Sequence, residues 1–321
     1  MNTKKTSARR PGLEHAPVVL TDYRIEAGTF SGAGGLTLRY KAWICEEVDS
    51  GRNLVFHHGF GEHCGRYEYL VEALAGDRVN LFSFDARGHG RSEGIRGGAG
   101  DITDMVRDLE HFMTFLREEF GVRCPLLLGH SMGGLVVLCF ALHFSNQWET
   151  RGLLTSGAAL KVKMNPVLRI KQVSGQIIGQ FAPDLVLPAG VDPNLLSHDP
   201  REAQAYEDDP LVHGDISIRL GLDMVRQGKL AIENAARIKV PIFMGHGGGD
   251  EVADPLGTRQ FFKGVQSEIA ELRIYPGLYH EIFNESPDAR SAVFDDYRRF
   301  IQNILAATET ILPPVEPATE S

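Results

Sequence analysis

The sequence has no long run of uncharged apolar residues. Its longest apolar stretch, Leu135–Phe144, falls well short of the roughly 18 to 20 residues that a membrane-spanning helix needs. We therefore expect no transmembrane segment. The composition agrees with this, because 321 residues, of which 43% are hydrophobic and 23% charged, are typical of a globular protein with a sizeable core.

Export signals and cysteines are also scarce. The basic residues at positions 4, 5, 9 and 10 are not followed by an apolar stretch, so neither a secretory nor a twin-arginine signal is complete. The four cysteines show no metal-like pair spacing, and two lie in apolar runs, where cysteine acts as a small hydrophobe. We therefore expect a cytoplasmic protein. The cysteines are Cys45, Cys64, Cys124 and Cys139.

Positive charge is sparse as well. The formal net charge is −9, and no sustained basic stripe is present. The sequence therefore offers no electrostatic surface for nucleic acid or for anionic lipid. We expect no nucleic-acid partner, and any contact with a lipid surface would be mainly apolar.

Short apolar runs of β-strand character alternate with helical patterns along most of the chain. This alternation predicts an α/β protein with a mostly parallel central sheet flanked by helices. The predicted strands are Tyr23–Thr29, Leu36–Cys45, Leu54–His57, Leu81–Phe84, Pro125–Leu128, Gly152–Ser156, Val240–Met244 and Leu272–Tyr275. The predicted helices are Tyr67–Leu74, Ile102–Phe120, Met132–Phe144, Pro255–Val265 and Ala289–Leu305.

The alternation stops between about residues 160 and 230. This interval is far longer than an ordinary crossover, so it predicts a helical cap inserted into the core. The core then consists of residues 21–159 and 231–308, with the cap at 160–230 between them. Residues 1–20 are interpreted as a flexible tail, and residues 309–321, rich in proline and glutamate, as a disordered tail.

The first part of the predicted cap, Asn165–Phe181, is amphipathic at helical spacing. Its apolar side chains could pack down on the core, form a lipid-facing lid, or do both, and periodicity alone does not separate these arrangements. The apolar set is Val167, Ile170, Val173, Ile177 and Phe181.

The strongest catalytic signal is a G-x-S-x-G pattern around Ser131. The segment Gly129–Gly134 lies between a predicted strand and a predicted helix, which is the context of a nucleophile elbow. The flanking glycines allow a sharp turn, and a helix N-terminus favours negative charge on a substrate oxygen. We therefore predict that Ser131 is a nucleophile.

The same pattern occurs a second time, around Ser92. After Ser92 the chain continues into the glycine-rich segment Ile95–Gly100, which cannot begin a helix. We therefore reject Ser92 as the nucleophile.

A serine hydroxyl needs a base to take its proton, and the base usually needs an orienting carboxylate. With a serine on an elbow of this kind, the acid and then the histidine follow later in the chain. The loop after the strand Val240–Met244 contains Asp250, which we predict to be the acid. Glu251 and Asp254 are alternatives, although Asp254 precedes a proline and fits better as the cap of the next helix.

The loop after the next strand, Leu272–Tyr275, contains His280. This is the loop in which such a site requires its base, so we predict His280 as the base. His246, which lies on the loop of the acid, is the main alternative.

The segment His57–His63 follows an earlier strand and is rich in glycine and histidine. A backbone N–H near Phe60 could complete an oxyanion hole with the N–H of Met132, the residue after the predicted nucleophile. Because both donors belong to the backbone, the identity of these side chains is nearly free.

Metal and nucleotide sites are poorly supported. His57, His58 and His63 match metal-ligand spacing only loosely, and the sequence has neither an H-E-x-x-H pattern nor a cysteine pair. The glycine-rich segment Gly245–Gly249 lacks the lysine of a P-loop. We expect no metal and no other cofactor.

Taken together, these motifs resemble the monoacylglycerol lipase and lysophospholipase group of α/β-hydrolases over roughly residues 30 to 305. The resemblance is specific because several segments occur together and in order. They are HHGFGEHCGRYE (His57–Glu68), FDARGHGRSEG (Phe84–Gly94), GHSMGG (Gly129–Gly134), DDPLVHG (Asp208–Gly214), HGGGDEVADP (His246–Pro255) and YPGLYHEIFNE (Tyr275–Glu285).

By this resemblance the catalytic triad falls on Ser131, Asp250 and His280, in agreement with the choice made from the motifs. The oxyanion donors fall on Phe60 and Met132.

The resemblance also implies residues that hold the alcohol end of the substrate. These are Glu62, Arg66, His130 and Tyr206. For Glu62 and Arg66, an ion pair that orders the loop is an equally good interpretation.

The implied activity is hydrolysis of monoacylglycerols to fatty acid and glycerol through an acyl-enzyme intermediate. A lysophospholipase or a broad carboxylesterase is the alternative within the same fold. A non-catalytic interaction module on a hydrolase fold is the alternative of another class. The expected partner is a small lipid-like ester, with transient contact between the cap and a membrane or micelle surface.

Overall fold

An eight-stranded sheet forms the centre of the structure, a computed structural model that describes residues 23–45, 51–98, 100–163 and 173–309. Its strands are β1 (Tyr23–Ser31), β2 (Thr37–Cys45), β3 (Asn53–His57), β4 (Asn80–Phe84), β5 (Leu126–His130), β6 (Gly152–Ser156), β9 (Ile242–Gly247) and β10 (Ala270–Tyr275). The intervening β7 (Val186–Pro188) and β8 (Asp215–Ser217) pair antiparallel in a separate sheet.

The order of strands across the large sheet is β1-β2-β4-β3-β5-β6-β9-β10. β1 and β2 form an antiparallel hairpin, β2 is antiparallel to β4, and the remaining neighbours are parallel. All eight predicted strands are present in this sheet. The carboxyl ends of β5, β9 and β10 lie at one edge, as is usual for ligand sites in parallel sheets.

The helices with described bounds are α1 (Glu68–Ala75), α2 (Ile102–Phe120), α3 (Met132–Phe144), α4 (Pro200–Asp208), α5 (Ile218–Glu233), α6 (Pro255–Gly264) and α7 (Pro287–Glu309). Local signals explain several ends. Asp101 forms a capping box with Asp104 before α2, and the Asp254 side chain accepts from the N–H of Leu256 at the start of α6, as predicted.

Apolar layers cover both faces of the sheet, because successive strand side chains point to opposite faces. In β5, Leu127 faces the layer formed with α2, α3, α5 and α6, whereas Leu126 and Leu128 face the layer formed with α1 and α7. The strand that leads to Ser131 is therefore buried on both sides.

The end of the predicted cap belongs to the core layer. Helix α5 packs against α2 and α3, and its Leu220 and Ala231 lie in the core. Because α5 runs to Glu233, the predicted boundary at residue 230 falls inside a helix. The sequence did not indicate that this helix belongs to the core, because a core helix and a cap helix have the same periodicity.

Apolar side chains at the start of the predicted cap are exposed, unlike those of the core. Residues 173–178 are helical, and Val173, Ile177 and Phe181 are 59%, 61% and 86% exposed, so these three side chains do not pack down on the core. Val167 and Ile170 lie outside the described residues. The predicted tails also lie outside them, except that α7 extends to Glu309.

Candidate active site

Ser131 lies in the turn between β5 and α3. Its backbone φ of 51° is in the left-handed region, which is strained for a residue with a side chain. A Cβ on Gly129 would lie 2.2 Å from the carbonyl oxygen of Gly133, and a Cβ on Gly133 would lie 2.2 Å from that of His57. Gly129 is therefore required by the close approach of β5 to the first turn of α3, and Gly133 by the close approach of α3 to the end of β3.

The structure brings Ser131, His280 and Asp250 together at the carboxyl edge of the sheet. The His280 Nε2 lies 2.8 Å from the Ser131 Oγ, and the His280 Nδ1 lies 2.7 Å from the Asp250 Oδ2. The three side chains come from the loops after β5, β9 and β10, in the predicted order. They form a continuous hydrogen-bonded chain in which the histidine can accept the serine proton.

The rejected serine has structural contacts. The Ser92 hydroxyl accepts from the backbone N–H of Arg39 and donates to the carbonyl oxygen of Asp85. Ser92 is thereby tied to the loop after β4 and is not part of the chain that contains His280.

The alternatives to Asp250 and His280 lie elsewhere. Glu251 is exposed and pairs with Lys163, while Asp254 caps α6. His246 is fully buried, and its Nε2 lies 3.0 Å from the Asp250 Oδ2.

The acid and the base shift each other's pKa. Burial alone would raise the pKa of Asp250, but the charge of His280 and the hydrogen bonds from both histidines hold it well below its usual range. Burial alone would lower the pKa of His280, but the charge and hydrogen bond of Asp250 raise it above its ordinary value. Asp250 is therefore ionised at neutral pH, as an orienting carboxylate must be.

The predicted oxyanion donors, Phe60 and Met132, both lie near Ser131. Met132 is the first residue of α3, where the backbone N–H groups have no acceptor within the helix. Phe60 follows β3 and lines a cleft with Ser131. A hydrogen bond stabilises the turn around Phe60, because the N–H of Gly59 donates to Glu62 Oε1 at 2.6 Å.

A buried ion-pair network lies behind this turn. The Arg66 guanidinium donates to Glu62 at 2.8 Å and forms two hydrogen bonds with Glu281, at 2.7 and 2.9 Å. Tyr67 donates to Glu62, and Asn284 donates to Glu281. The network joins the turn around Phe60 to the loop that carries His280.

Glu281 is the residue of this site that the motifs did not identify. Burial alone would raise its pKa, but the charge and hydrogen bonds of Arg66 lower it, so the carboxylate stays ionised. Its only local signal is its position directly after His280 in the sequence.

A cleft lies in front of Ser131 and opens to solvent. Arg66 does not line this cleft, and its side chain is 1% exposed, so the direct substrate contact predicted for Arg66 stays a prediction. The predicted ion pair with Glu62 is present. The polar lining includes Glu62, His130, Tyr206 and Glu281, and the apolar lining includes Phe60, Val191, Leu196 and Val252.

His130 is a neutral member of this lining. Burial and the adjacent His280 lower the pKa of His130 to about 3. Its Nδ1 lies 3.2 Å from the Ser156 hydroxyl. His130 can therefore offer an uncharged ring to a substrate.

The segment between β6 and β9 contacts the turn around Phe60 directly. His63 Nε2 lies 2.8 Å from Asp209 Oδ2, and the N–H of His213 donates to the carbonyl oxygen of Gly61 at 2.9 Å. The ring of Tyr206 lies over the Arg66 guanidinium, 4.8 Å from its carbon to the ring centroid. This segment therefore closes one side of the cleft.

The histidines considered as metal ligands make other contacts. His57 Nδ1 lies 2.9 Å from the His58 carbonyl oxygen, and His58 Nε2 accepts from the N–H of Ala86 at 2.8 Å. Among residues 23–45, 51–98, 100–163 and 173–309, no group of three or more His, Cys, Asp or Glu side chains is placed to hold a metal ion. Within the same ranges, no helix is long and apolar enough to span a membrane.

The buried network gives a stability prediction. Replacing Arg66 by methionine is expected to lower the free energy of unfolding by about 3 to 5 kcal/mol, because Glu62 and Glu281 would be left buried without their cation. Denaturant unfolding measures the change. The control is Arg219→Met, since Arg219 also forms two hydrogen bonds with a carboxylate, Asp184, but their side chains are 43% and 61% exposed. Its expected loss is below about 1 kcal/mol, and equal losses would contradict the role of burial.

The elbow and the mostly parallel sheet define an α/β-hydrolase. A family model described as serine aminopeptidase, S33, matches residues 50–287. The chain belongs to this family of α/β-hydrolases, and the protein is a hydrolase.

The similar proteins narrow the class further. A monoacylglycerol lipase of Mycolicibacterium smegmatis is 30% identical over 276 residues, which cover 85% of this chain and 95% of that protein. Two solved structures also match over most of their length. The Paleococcus ferrophilus monoacylglycerol lipase has a TM-score of 0.71 at 28% identity, covering 88% of this chain and 99% of its own. A soluble variant of the Saccharomyces cerevisiae monoglyceride lipase, in complex with a substrate analogue, has a TM-score of 0.78 at 25% identity, covering 90% and 98%. The chain thus falls in the monoacylglycerol lipase group, which confirms the resemblance of its motifs.

Proposed function

We propose that this hydrolase cleaves the ester bond of monoacylglycerols, with Ser131 as nucleophile, His280 as base and Asp250 as acid. The observation that carries the proposal is the hydrogen-bonded chain from Asp250 through His280 to Ser131 at the floor of a mixed polar and apolar cleft. The similarity to monoacylglycerol lipases supports the choice of substrate.

The reaction proceeds in two steps. As Ser131 Oγ attacks the ester carbonyl carbon, His280 Nε2 takes the hydroxyl proton, and the backbone N–H groups of Phe60 and Met132 receive the negative oxygen. The histidine then gives its proton to the leaving alcohol, and the acyl group remains on Ser131. A water molecule, deprotonated by His280, attacks this ester, and the fatty acid leaves as the serine regains its proton. No cofactor takes part in these steps.

The glycerol end is assigned to the polar lining of the cleft. Glu62, His130 and Tyr206 present an acceptor, a neutral imidazole and a phenol around the serine. Arg66 acts through Glu62 and Glu281, whose carboxylates it holds in place. The apolar lining then receives the first part of the acyl chain.

The segment around residues 160–217 is proposed to be a cap that touches a membrane or micelle transiently. Val173, Ile177 and Phe181 are apolar and exposed, and Leu185 and Leu187 are each 44% exposed nearby in the sequence. An apolar surface of this kind suits lipid contact without attraction between charges. All four cysteines are free thiols, which agrees with a cytoplasmic location.

A substrate panel tests the assignment. The purified protein is given a monoacylglycerol, a lysophospholipid, a triacylglycerol and a methyl ester that share one acyl chain. We expect kcat/KM to be highest for the monoacylglycerol, by roughly 5- to 30-fold over the methyl ester, since one or two hydrogen bonds to glycerol are gained. Tyr206→Phe is expected to reduce this ratio. Equal rates would favour a broad carboxylesterase, and a preference for the lysophospholipid would favour a lysophospholipase.

The alternative of a non-catalytic module has its own test. An active-site-directed fluorophosphonate is expected to label Ser131, because only an activated serine reacts with it. Absence of labelling in the folded protein would support the non-catalytic alternative.

The pH dependence follows from the raised pKa of His280. The base must be neutral to accept the serine proton, so kcat/KM should fall as the pH drops through this pKa. We expect the midpoint of this acid limb to lie above the ordinary histidine value of 6.5. The pH profile of kcat/KM for a neutral ester measures it. A midpoint at or below 6.5 would contradict the stabilisation of the His280 cation by Asp250.

A further inference from the structure

The carboxylate of Asp250 accepts hydrogen bonds on both oxygens. Its Oδ1 receives the backbone N–H groups of Val252 and Ala253, at 2.8 and 2.9 Å. Its Oδ2 lies 2.7 Å from Nδ1 of His280 and 3.0 Å from Nε2 of His246. A single carboxylate oxygen therefore lies between two imidazole rings, of which the proposed mechanism uses only one.

The contacts of His246 determine which ring nitrogen carries the proton. Nε2 faces two oxygens that only accept: it forms a hydrogen bond with the carbonyl oxygen of Ala253 at 3.2 Å and lies 3.0 Å from Asp250 Oδ2. Nε2 therefore carries a proton. Nδ1 lies 2.7 Å from the hydroxyl of Thr258 in the first turn of α6, and in the tautomer protonated on Nε2 it accepts from that hydroxyl. Polar contacts thus run from Thr258 through His246 to Asp250.

His246 has no access to the substrate. It is the fifth residue of β9, its side chain is fully buried, and it does not line the cleft in front of Ser131. Any effect of His246 on the reaction must therefore pass through another residue. Asp250 is the member of the proposed triad that it contacts.

We propose that His246 is a positioning residue for the catalytic acid, an inference that rests on the proposed function. Its Nε2–H, shared with the carbonyl oxygen of Ala253, lies 3.0 Å from Oδ2 and supports that oxygen beside His280. The two backbone donors fix Oδ1 but leave the carboxylate able to tilt about it. With His246 in place, the carboxylate is held on both sides, so His280 keeps the orientation and the tautomer that the reaction requires.

Three variants test this role. His246→Leu removes the donor and keeps an apolar side chain, and we expect kcat to fall by roughly 10- to 100-fold with KM changed less than about twofold. In His246→Gln, the amide nitrogen can occupy the position of Nε2, so kcat should stay within about fivefold of the wild type. Thr258→Val removes the hydroxyl that selects the tautomer, and a loss of roughly threefold or more in kcat is expected.

A double-mutant cycle separates positioning from a general structural effect. If His246 acts through Asp250, then His246→Leu should lower kcat by less than about threefold in an Asp250→Asn background. Thermal unfolding shows whether each variant is folded. If His246→Leu does not fold, the kcat values of His246→Gln and Thr258→Val test the inference instead.

Several results would overturn the inference. These are equal losses of kcat for the Leu and Gln variants, an unreduced effect in the Asp250→Asn background, or unchanged kcat in Thr258→Val. The failure of the proposed function is distinguishable, because the wild type would then neither hydrolyse esters nor react with the fluorophosphonate. An active wild type with an unaffected His246→Leu variant overturns the inference alone.

Discussion

Ser131→Ala is expected to lower kcat for ester hydrolysis by about four to six orders of magnitude. The reason is that the variant lacks the Ser131 Oγ, which forms the hydrogen bond with His280 and is the oxygen that accepts the acyl group. Steady-state turnover of a monoacylglycerol and of a soluble ester measures the loss. The rate that remains should exceed the uncatalysed rate, since the backbone N–H groups of Phe60 and Met132 still polarise the carbonyl.

The chain offers a matched control for this substitution. Ser92 occupies the same five-residue pattern, is also buried, and donates to the carbonyl oxygen of Asp85. Ser92→Ala should therefore lower the free energy of unfolding by about 1 kcal/mol and leave kcat near the wild-type value. Near-normal turnover in Ser131→Ala, or a comparable loss of turnover in Ser92→Ala, would contradict the assignment of the nucleophile.

The location of the proposed triad could be predicted because each member follows a recognisable strand. Ser131 stands between an apolar strand and a helix, and Asp250 and His280 stand in the loops after β9 and β10. Parallel strands bring their carboxyl ends to one edge, so order along the chain specifies proximity in space. The same reasoning rejected Ser92, whose downstream glycines cannot begin a helix.

The residues that support these three could not be predicted in the same way. Arg66 pairs with Glu281, 215 positions away, and nothing in the local pattern of either residue marks the contact. His246 was considered only as a rival base, because the sequence pattern ends the strand at Met244 and assigns His246 to the loop of the acid, whereas the structure places it inside β9. Helix α5 was assigned to the cap for a related reason, since an amphipathic helix does not identify the surface that it covers.

Asp250→Asn is expected to lower kcat by about 10⁴-fold, which is the loss seen when a triad aspartate becomes an amide. The hydrogen-bond donors around the Asp250 carboxylate explain this loss of kcat. The N–H groups of Val252 and Ala253 both point at one oxygen and can only donate, whereas the two imidazoles at the other oxygen can change tautomer, so the amide oxygen should occupy the site of the backbone donors. The amide nitrogen then faces His280 and donates to its Nδ1. The proton of His280 is thereby moved to Nε2, which can no longer accept from Ser131.

The opposite orientation of the amide would not avoid the loss of kcat without a cost in stability. It would restore an acceptor for His280 but would direct the amide N–H₂ at the backbone donors of Val252 and Ala253, which costs buried hydrogen bonds. Asp254→Asn is the matched control, because asparagine caps a helix as well as aspartate and the side chain of Asp254 accepts from the N–H of Leu256. The carboxylate of Asp254 also pairs with the exposed Lys161, a contact of little energetic weight. Its kcat should stay within about twofold of the wild type. If Asp250→Asn lowered kcat by less than about 100-fold, or if Asp254→Asn had the larger effect, then the carboxylate that orients His280 during the reaction would not be Asp250.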